Sequence, residues 1–442
     1  MRERGASASE DSPRWGESSV LARNKIGELD SLIKLMKKLH KYIDSNSKEV
    51  INFTRRLVEI QTVNPPGRDY DKAVALIEAQ CRRFGFSIKK IETPKSIIDG
   101  KGVKGGSRRI TLIARWNLKR PKTVHLNGHY DVVPATGGWK TDPFKAVIKN
   151  GRIYGRGTED MKGTLAAMLY AAGAIKKYGL KPDVNVELSF VPDEETGGAT
   201  GAAYSLKKIQ RPDFVIGEGY SKDYISNGNK GVLWADVEVS GLPAHASEPH
   251  KGINAFEKMV FVAVELMKLK KKIGHRQTRY SVKDKKDRFA TFVMGGELSG
   301  REKVNIVPDK ASFSIDRRIL PEESVKDAKR EIVMAIEKMK RRDRDLNVKV
   351  IFRSEEPPIV SDKSGILSHA MRRAIHEVRG GSTGAALLPG CTDIRFLARR
   401  GSQSAGYSVA GAGRHHGDDE FIYVKNLIDT TKIFAGAIMG LK

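Results

Sequence analysis

Histidine and carboxylate side chains recur in short glycine- and proline-rich segments, most of which follow an apolar stretch of the chain. In chain order they are His129 and Asp131, Glu194 and Glu195, Glu218, and His415 and His416, with Asp160 in a separate glycine-rich segment. Neutral imidazoles and carboxylates are ligands that zinc binds, and a carboxylate shared by two ions holds them about 3.5 to 4 Å apart. These residues therefore predict a metal centre with two ions, which is the chemistry of a metal-dependent hydrolase.

The apolar stretches before these residues are predicted strands, and helical patterns separate them. Strands are predicted near 110–115, 123–128, 184–190, 213–216 and 404–409, with helices near 70–84 and 162–177. This alternation is typical of an α/β domain with a mostly parallel sheet, which binds ligands at its carboxyl edge. One such acidic or histidine pair alone is usually an exposed loop feature, so the metal-site prediction depends on four strand ends delivering ligands together.

The pattern of elements changes at Gly231, where strands and two helices predict a compact α+β insert. We assign residues 231–353 to this lid and dimerisation domain. Residues 26–230 and 354–442 would then form one discontinuous catalytic domain, with its first helices near 26–39 and 50–60. Residues 1–25 are polar and weakly patterned, which predicts a flexible tail.

Five motifs resemble those of one known family in order and spacing. They are NGHYDVVP, GRGTEDMKG, VPDEETGG, IGEG and HHGDDE, and the resemblance covers about residues 50–440. The family is that of the dinuclear-zinc amidohydrolases and metallopeptidases, which includes succinyl-diaminopimelate desuccinylase, acetylornithine deacetylase, aminoacylase and carboxypeptidase G. It implies a zinc-exopeptidase-like catalytic domain, whose mixed, mostly parallel sheet is flanked by helices, and an inserted ferredoxin-like lid.

The resemblance implies two Zn²⁺ ions per subunit, for which Co²⁺ may substitute. One ion would be bound by His129, Asp160 and Glu218, and the other by Asp160, Glu195 and His416, so that Asp160 bridges the pair. Asp131 would hydrogen-bond the far nitrogen of His129 and fix its tautomer. Glu194 resembles the general base, which takes a proton from the water shared by the metals and passes it to the leaving amine.

Two of these ligand assignments have alternatives. His416 is preferred over His415 because the family's histidine usually stands four residues before a glutamate, here Glu420. The family commonly has proline after the glutamate that corresponds to Glu218, whereas this chain has glycine. Asp213 and Asp223 therefore remain weaker candidates for that ligand.

The lid and the last third of the chain contribute the predicted substrate residues. His245 resembles a histidine that many family members supply across a dimer interface to the substrate carbonyl, which needs a donor as negative charge develops. Asn305 and Arg318 match a segment that binds substrate, in preference to Arg317, and an arginine fork suits a carboxylate. In the LPGCTDIRF segment Thr392 and Arg395 are further candidates, and the role of Cys391 stays open.

The resemblance predicts a hydrolase that cleaves the amide of an N-acyl amino acid. The motif wording favours a desuccinylase or acetylornithine deacetylase of lysine or arginine biosynthesis. A metal-dependent carboxypeptidase or dipeptidase uses the same zinc site and is the main alternative. A non-enzymatic basic protein that binds nucleic acid or a partner is a remote one, because such a protein would be expected to lose ligands that are all present here.

The composition of the chain indicates which partners and which cellular location to expect. The chain has 442 residues and a net charge of +26, but its basic clusters are not interleaved with aromatic residues, which argues against nucleic acid as a partner. We find no stretch long enough to cross a membrane and no signal-peptide core. Two cysteines, Cys81 and Cys391, exclude a disulfide framework. We therefore expect a cytoplasmic homodimer that acts on a small molecule, with no nucleic acid and no membrane as partner.

Overall fold

The structure is a computed structural model that describes residues 34–100, 105–300, 303–409, 411 and 415–442. The predicted tail and the first part of the first predicted helix lie outside these residues. The strands of the described residues are, in chain order, β1 (Ser87–Glu92), β2 (Ile110–Trp116), β3 (Thr123–His129), β4 (Val147–Lys149), β5 (Arg152–Tyr154), β6 (Asn185–Val191), β7 (Phe214–Gly217), β8 (Tyr224–Asn229), β9 (Gly231–Ser240), β10 (Thr291–Gly300), β11 (Lys310–Ile319), β12 (Asn347–Glu356), β13 (Ile359–Val360), β14 (Gly384–Leu388), β15 (Gln403–Gly406) and β16 (Phe421–Tyr423).

Helices cover both domains and differ in how deeply they are buried. They are α1 (34–45), α2 (Ser47–Glu59), α3 (Tyr70–Arg83), α4 (Lys95–Gly100), α5 (Gly163–Lys177), α6 (Ala202–Ser205), α7 (Ala255–Ile273), α8 (Val325–Lys340), α9 (Ile366–Arg379), α10 (Arg395–Ala398) and α11 (Val424–Met439). Helix α5 is apolar around its circumference and nearly all of its residues are buried. A helix that is apolar on every side belongs in a core, and α5 packs against α11 there. No helix in the described part of the chain is long and apolar enough to cross a bilayer.

The catalytic domain is built on a nine-stranded sheet with the order β1-β2-β6-β3-β7-β15-β8-β13, with β14 paired to β8. The central strands β6, β3, β7 and β15 are parallel, and antiparallel strands flank them on both sides. The predicted α/β class with a mixed, mostly parallel sheet is therefore confirmed. Adjacent parallel strands end at the same edge, so residues that follow β3, β6 and β7 come together.

A second, antiparallel sheet with the order β10-β11-β9-β12 forms the insert, and α7 and α8 pack on it. Along β11, alternate residues from Ala311 to Ile319 are buried, as expected when one face of a sheet is covered. A third, small sheet joins β16, β5 and β4. Sequence patterns did not reveal β1, β8, β14 or the β4–β5 hairpin, because these strands are short or their apolar residues do not alternate over enough positions.

Candidate metal centre

Three neighbouring parallel strands deliver the predicted metal ligands to one edge of the sheet. His129 is the last residue of β3, and Glu218 follows β7 directly. Glu194 and Glu195 begin a 3₁₀ turn, Glu194–Thr196, three residues after β6 ends. Asp160 comes from the loop that leads into α5. These side chains are far apart in the sequence, and the strand order β6-β3-β7 is what places them side by side.

Asp160 lies between two histidines at the centre of this group. Its Oδ1 is 3.1 Å from Nε2 of His129, and its Oδ2 is 3.3 Å from Nε2 of His416. The same nitrogen of His416 lies 3.0 Å from Oε2 of Glu195. Nδ1 of His415 is 3.7 Å from Oδ2 of Asp160, so both histidines of the pair reach Asp160. Contact with Glu195 as well favours His416 for the second ion.

Ligand atoms in the cluster are close enough to share cations. One atom each from His129, Asp160 and Glu195 lie within 4.8 Å of one another, and the same is true of His129, Glu194 and Glu218. Oε1 of Glu195 is buried without a hydrogen-bond partner among the described residues. An acceptor left unpaired in this way fits coordination to a cation, so the donor set suits the two ions that the sequence predicts.

The pKa shifts of the clustered side chains are those expected where carboxylates surround a cation site. Burial, together with the negative charge of Asp160, raises the pKa of Glu195 to about 7 and holds the pKa of Glu218 well above its usual range. Burial and the negative charge of Asp393 likewise raise the pKa of Glu194 well above its usual range. Hydrogen bonds to Asp160 and Glu195 raise the pKa of His416 to about 10. Crowded carboxylates disfavour one another's ionised form, and bound cations reverse that penalty.

Glu420 shapes the loop that presents Asp160. Its Oε1 accepts hydrogen bonds from the backbone N–H of Glu159 at 2.8 Å and of Asp160 at 3.2 Å, and its Oε2 accepts one from Gly157 at 3.0 Å. Arg156 donates to Oε2 at 2.7 Å, and both partners of this ion pair are 1% exposed. In the sequence Glu420 served only to distinguish His416 from His415, whereas in the structure it holds the backbone of the loop that carries Asp160.

Asp131 connects His129 to the two adjacent glutamates. Nδ1 of His129 lies 3.0 Å from the backbone oxygen of Asp131 and 3.5 Å from its carboxylate Oδ1. That carboxylate accepts hydrogen bonds from the backbone N–H of Glu194 and of Glu195, each at 3.2 Å. The closer contact to His129 is thus through the backbone of Asp131, and its side chain mainly fixes the turn that carries Glu194 and Glu195.

A buried polar network that the sequence did not reveal supports this turn. Nδ2 of Asn64 donates to Asp131 at 3.0 Å and lies 3.3 Å from Oδ1 of Asp193. Asp193 also accepts from Tyr70 at 2.7 Å and from Nε of Arg109 at 3.0 Å, and Arg109 and Asp193 are each 1% exposed. These partners come from distant segments, so no local spacing could have indicated them.

The sequence of this chain matches the model of one known protein family. The model of Peptidase family M20/M25/M40 matches residues 125–440, which is most of the chain. The chain belongs to the M20/M25/M40 peptidase family. The family resemblance stated from the five motifs is therefore confirmed, and the chain is a metallohydrolase of that family.

Several M20/M25/M40 relatives extend over nearly the whole chain. An uncharacterized metallohydrolase of Methanocaldococcus jannaschii is 25% identical over 412 residues, which cover 88% of this chain and 98% of the relative. A succinyl-diaminopimelate desuccinylase of Gluconacetobacter diazotrophicus is 26% identical over 408 residues, covering 89% and 97%. The solved structure of human carnosine dipeptidase 1 superposes with a TM-score of 0.72 at 18% identity, covering 92% of this chain and 98% of that one. At this identity the likeness to the dipeptidase establishes the fold alone.

The predicted substrate residues of the M20/M25/M40 lid lie in its exposed segments. Nδ1 of His245 is 2.6 Å from the Ser247 hydroxyl, and a β-bridge joins His245 to Ile306, beside Asn305. Arg318 on β11 holds Asp316 through two contacts of 2.9 and 3.0 Å. Its neighbour Arg317 is 1% exposed and bound to lid glutamates. His245 and Asn305 thus lie together, and the side chain of Arg318, unlike that of Arg317, reaches solvent.

The LPGCTDIRF segment lies beside the carboxylate cluster. Arg395 has several partners there, whereas the buried hydroxyl of Thr392 has no hydrogen-bond partner among the described residues. Arg395 is 3% exposed in its side chain and donates to the backbone oxygen of Gly197 at 2.7 Å, with Asp393 and Glu356 both at 3.4 Å. Thr392 is fully buried. Burial raises the pKa of Cys391 to about 11. The positions of Arg395 and Thr392 favour a supporting role, and their contact with substrate stays a prediction.

The two alternative candidates for the Glu218 ligand, Asp213 and Asp223, lie away from the cluster. Asp213 accepts a hydrogen bond from the backbone of Thr123, where β3 begins, which is the opposite edge of the sheet. Asp223 forms surface ion pairs with lysines.

Tyr220, two residues after Glu218, packs beside His415 with ring centroids 5.2 Å apart. It would have been hard to predict, because nothing in the GEGY segment distinguishes a cleft tyrosine from a core one.

Proposed function

We propose that this metallohydrolase cleaves the amide bond of an N-acyl amino acid, as a desuccinylase or an acetylornithine deacetylase does in lysine or arginine biosynthesis. The observation that carries the proposal is the carboxylate cluster in which Asp160 touches both His129 and His416 while Glu194 lies beside them. The full-length likeness to a desuccinylase supports the acyl substrate. Both cysteines are free thiols, which supports a reducing, cytoplasmic location.

His129, Asp160, Glu195, Glu218 and His416 would hold the two ions, with Zn²⁺ proposed and Co²⁺ as a substitute. When bound, these ions would supply Lewis acidity and lower the pKa of a coordinated water. Burial raises the pKa of the Glu194 carboxyl, so it binds a proton readily. In the proposed reaction Glu194 takes the proton of the attacking water and returns it to the leaving amine.

Lid residues would recognise the rest of the substrate. His245 would donate a hydrogen bond to the amide oxygen as it gains negative charge. Asn305 lies beside His245 and would bind the same region of the substrate. Arg318 would pair with the substrate carboxylate through the fork that it now directs at Asp316. Exchange of one carboxylate partner for another costs less than desolvation of an unpaired arginine.

A carboxypeptidase or dipeptidase is the second candidate, favoured by the fold likeness to human carnosine dipeptidase 1. Both reactions use the same cluster and differ in what lies on the acyl side of the amide. A dipeptide offers a protonated amine there, whereas an N-succinyl group offers a carboxylate and an N-acetyl group offers no charge.

The deciding experiment measures release of free amine from a substrate panel. Zinc- or cobalt-loaded protein and chelated protein would be given N-succinyl-diaminopimelate, N-acetylornithine, other N-acyl amino acids and simple dipeptides. We expect metal-dependent turnover of an N-acyl amino acid. Turnover of dipeptides alone would move the protein to the peptidase alternative. No turnover by protein that holds both metals would contradict the assigned substrate residues, Arg318 first.

We also propose that the lid forms a homodimer through α7 and the neighbouring edge strand β10. One face of α7 exposes large apolar side chains at helical spacing, namely Phe256, Val260, Val264 and Met267, each at least 44% exposed. Val293 and Leu298 on β10 are 54% and 71% exposed. Apolar side chains concentrated on one surface in this way mark an interface.

Charge placed on that apolar face should separate the subunits. We expect Val264→Glu together with Met267→Glu to convert a dimer into monomers, as measured by sedimentation velocity, because two carboxylates cannot be buried unpaired. Met334→Glu on α8, where the side chain is 63% exposed, is the matched control and should leave the dimer intact. A dimer that persists in the double variant would refute this interface.

A further inference from the structure

The small sheet of β4, β5 and β16 presents a face that the metal centre does not use. Two rows of side chains cross its strands, one made of Val147, Tyr154 and Phe421 and the next of Lys149, Arg152 and Tyr423. Side chains alternate along a strand, so both rows point to the same side. Ile153 and Ile422 point to the other side and are fully buried. The sheet is thus anchored by its apolar face and displays aromatic rings beside cations on its outer face.

A concavity of about 560 Å³ is lined by the first row and by Lys149 and Arg152 of the second. Lys140 and Asp419 also line it, and Asp419 accepts a hydrogen bond from the backbone of Lys140 at 2.8 Å. Sites that bind small organic molecules typically measure about 300 to 1,000 Å³. The space therefore suits one ligand of moderate size, and the paired hairpin beneath it provides a preformed floor.

Arg152 lies over two aromatic rings of this face and has no carboxylate partner among the described residues. Its guanidinium lies 4.5 Å from the ring centroid of Phe421 and 5.2 Å from that of Tyr423. Its donors reach the hydroxyls of Tyr154 at 3.2 Å and Tyr423 at 3.3 Å. Within the part of the chain that the structure describes, neither Arg152 nor Lys149 forms an ion pair. The concavity is therefore lined by two cations that have no ion-pair partner among the described residues, together with Lys140 and Asp419.

We propose that this face binds a small ligand that carries both a planar aromatic ring and a phosphate, the chemistry of a mononucleotide. Arginine planes and aromatic side chains on a sheet surface are a recurring platform for stacking bases. Cations beside the rings bind a phosphate through charge-assisted hydrogen bonds. The site is separate from the proposed amide hydrolysis and gives part of the charge of +26 a specific task.

The proposal is tested by calorimetric titration of zinc-loaded, full-length protein with AMP at low salt, where charge attraction is least screened. We expect one AMP per subunit, and we expect adenosine and ribose 5-phosphate to bind at least about tenfold more weakly, because each lacks one of the two recognised groups. Lys149→Gln with Arg152→Gln should weaken AMP by at least about tenfold. Lys181→Gln with Lys207→Gln removes the same charge from exposed positions elsewhere and should leave AMP binding unchanged.

A second variant separates stacking from charge. Phe421→Leu keeps an apolar side chain and should weaken AMP while leaving ribose 5-phosphate unaffected. Equal AMP affinity in the Lys149/Arg152 variant and in its control would overturn the proposal, as would AMP binding that disappears when the metals are removed, which would place the phosphate at the metal centre. Binding of a single-stranded oligonucleotide without binding of AMP would also overturn it in favour of a nucleic-acid surface.

Discussion

Replacement of Glu194 by Gln is expected to lower kcat by about 10³ while both metal ions stay bound. General acid–base catalysis contributes typically 10² to 10⁴ in rate, and an amide of the same shape cannot accept the proton of the water. Burial and the nearby charge of Asp393 hold the pKa of Glu194 well above its usual range, which is the property of a group that must bind and release a proton. The measurement is amine release together with zinc content per subunit.

The adjacent glutamate supplies the matched control for this prediction. Glu195→Gln alters a carboxylate that contacts His416 at 3.0 Å, and it should lose zinc as well as activity. Glu194 also lies within ligand distance of His129 and Glu218, so the geometry alone permits it to bind metal. Loss of one zinc from Glu194→Gln would reassign it as a ligand, and activity within tenfold of the wild type would exclude it as the base.

The fold was predictable to the extent that apolar runs and turns were regular. Strand β7 and helix α5 have nearly continuous apolar sequences because both faces of the parallel sheet are covered, and such runs can be read directly. In β3 and β6 apolar residues alternate with polar ones, a pattern that also predicts a strand. The antiparallel strands at the sheet margins, β1 and β8, carry Lys89, Lys90 or glycine and asparagine among few apolar residues. Their pairing is determined by neighbours distant in the sequence, and a local pattern contains no information about those neighbours.

The residues of the candidate site also differ in how far the sequence could indicate them. The clustering of His129, Asp160 and Glu195 could be predicted because each lies at a strand end or before a helix at the same edge of the sheet, and their binding of metal stays a prediction. Asn64 and Arg109 could not, because each acts through Asp193 or Asp131 across a long sequence separation. The sequence did not indicate the buried ion pairs of Arg395 with Asp393 and Glu356, which depend on the fold, and its contact with substrate stays a prediction.

Asp160→Asn tests whether one carboxylate serves both ions. We expect it to weaken zinc binding at both sites, because the negative charge is lost, and by more than about 100-fold at the site that faces the amide nitrogen. Loss of a residue that only supports a ligand costs about 10- to 100-fold in metal affinity, and a bridging ligand should exceed that. Asp131→Asn, which alters the support of the turn that carries Glu195, should remain within the smaller range. Zinc affinity would be measured by chelator competition for each variant.

If Asp160 binds both ions, its replacement affects both zinc sites, whereas replacement of a residue that binds one ion affects one. Oδ1 of Asp160 faces His129 and Oδ2 faces His416, so an amide must present nitrogen to one of the two ions. Glu420 holds the backbone of this loop through three N–H groups, so the backbone position of residue 160 between the two sites should be kept in the variant. A zinc affinity that stays unchanged at one of the two sites would therefore contradict bridging. Equal thermal unfolding of the metal-free variant and metal-free wild type would show that the fold itself is intact.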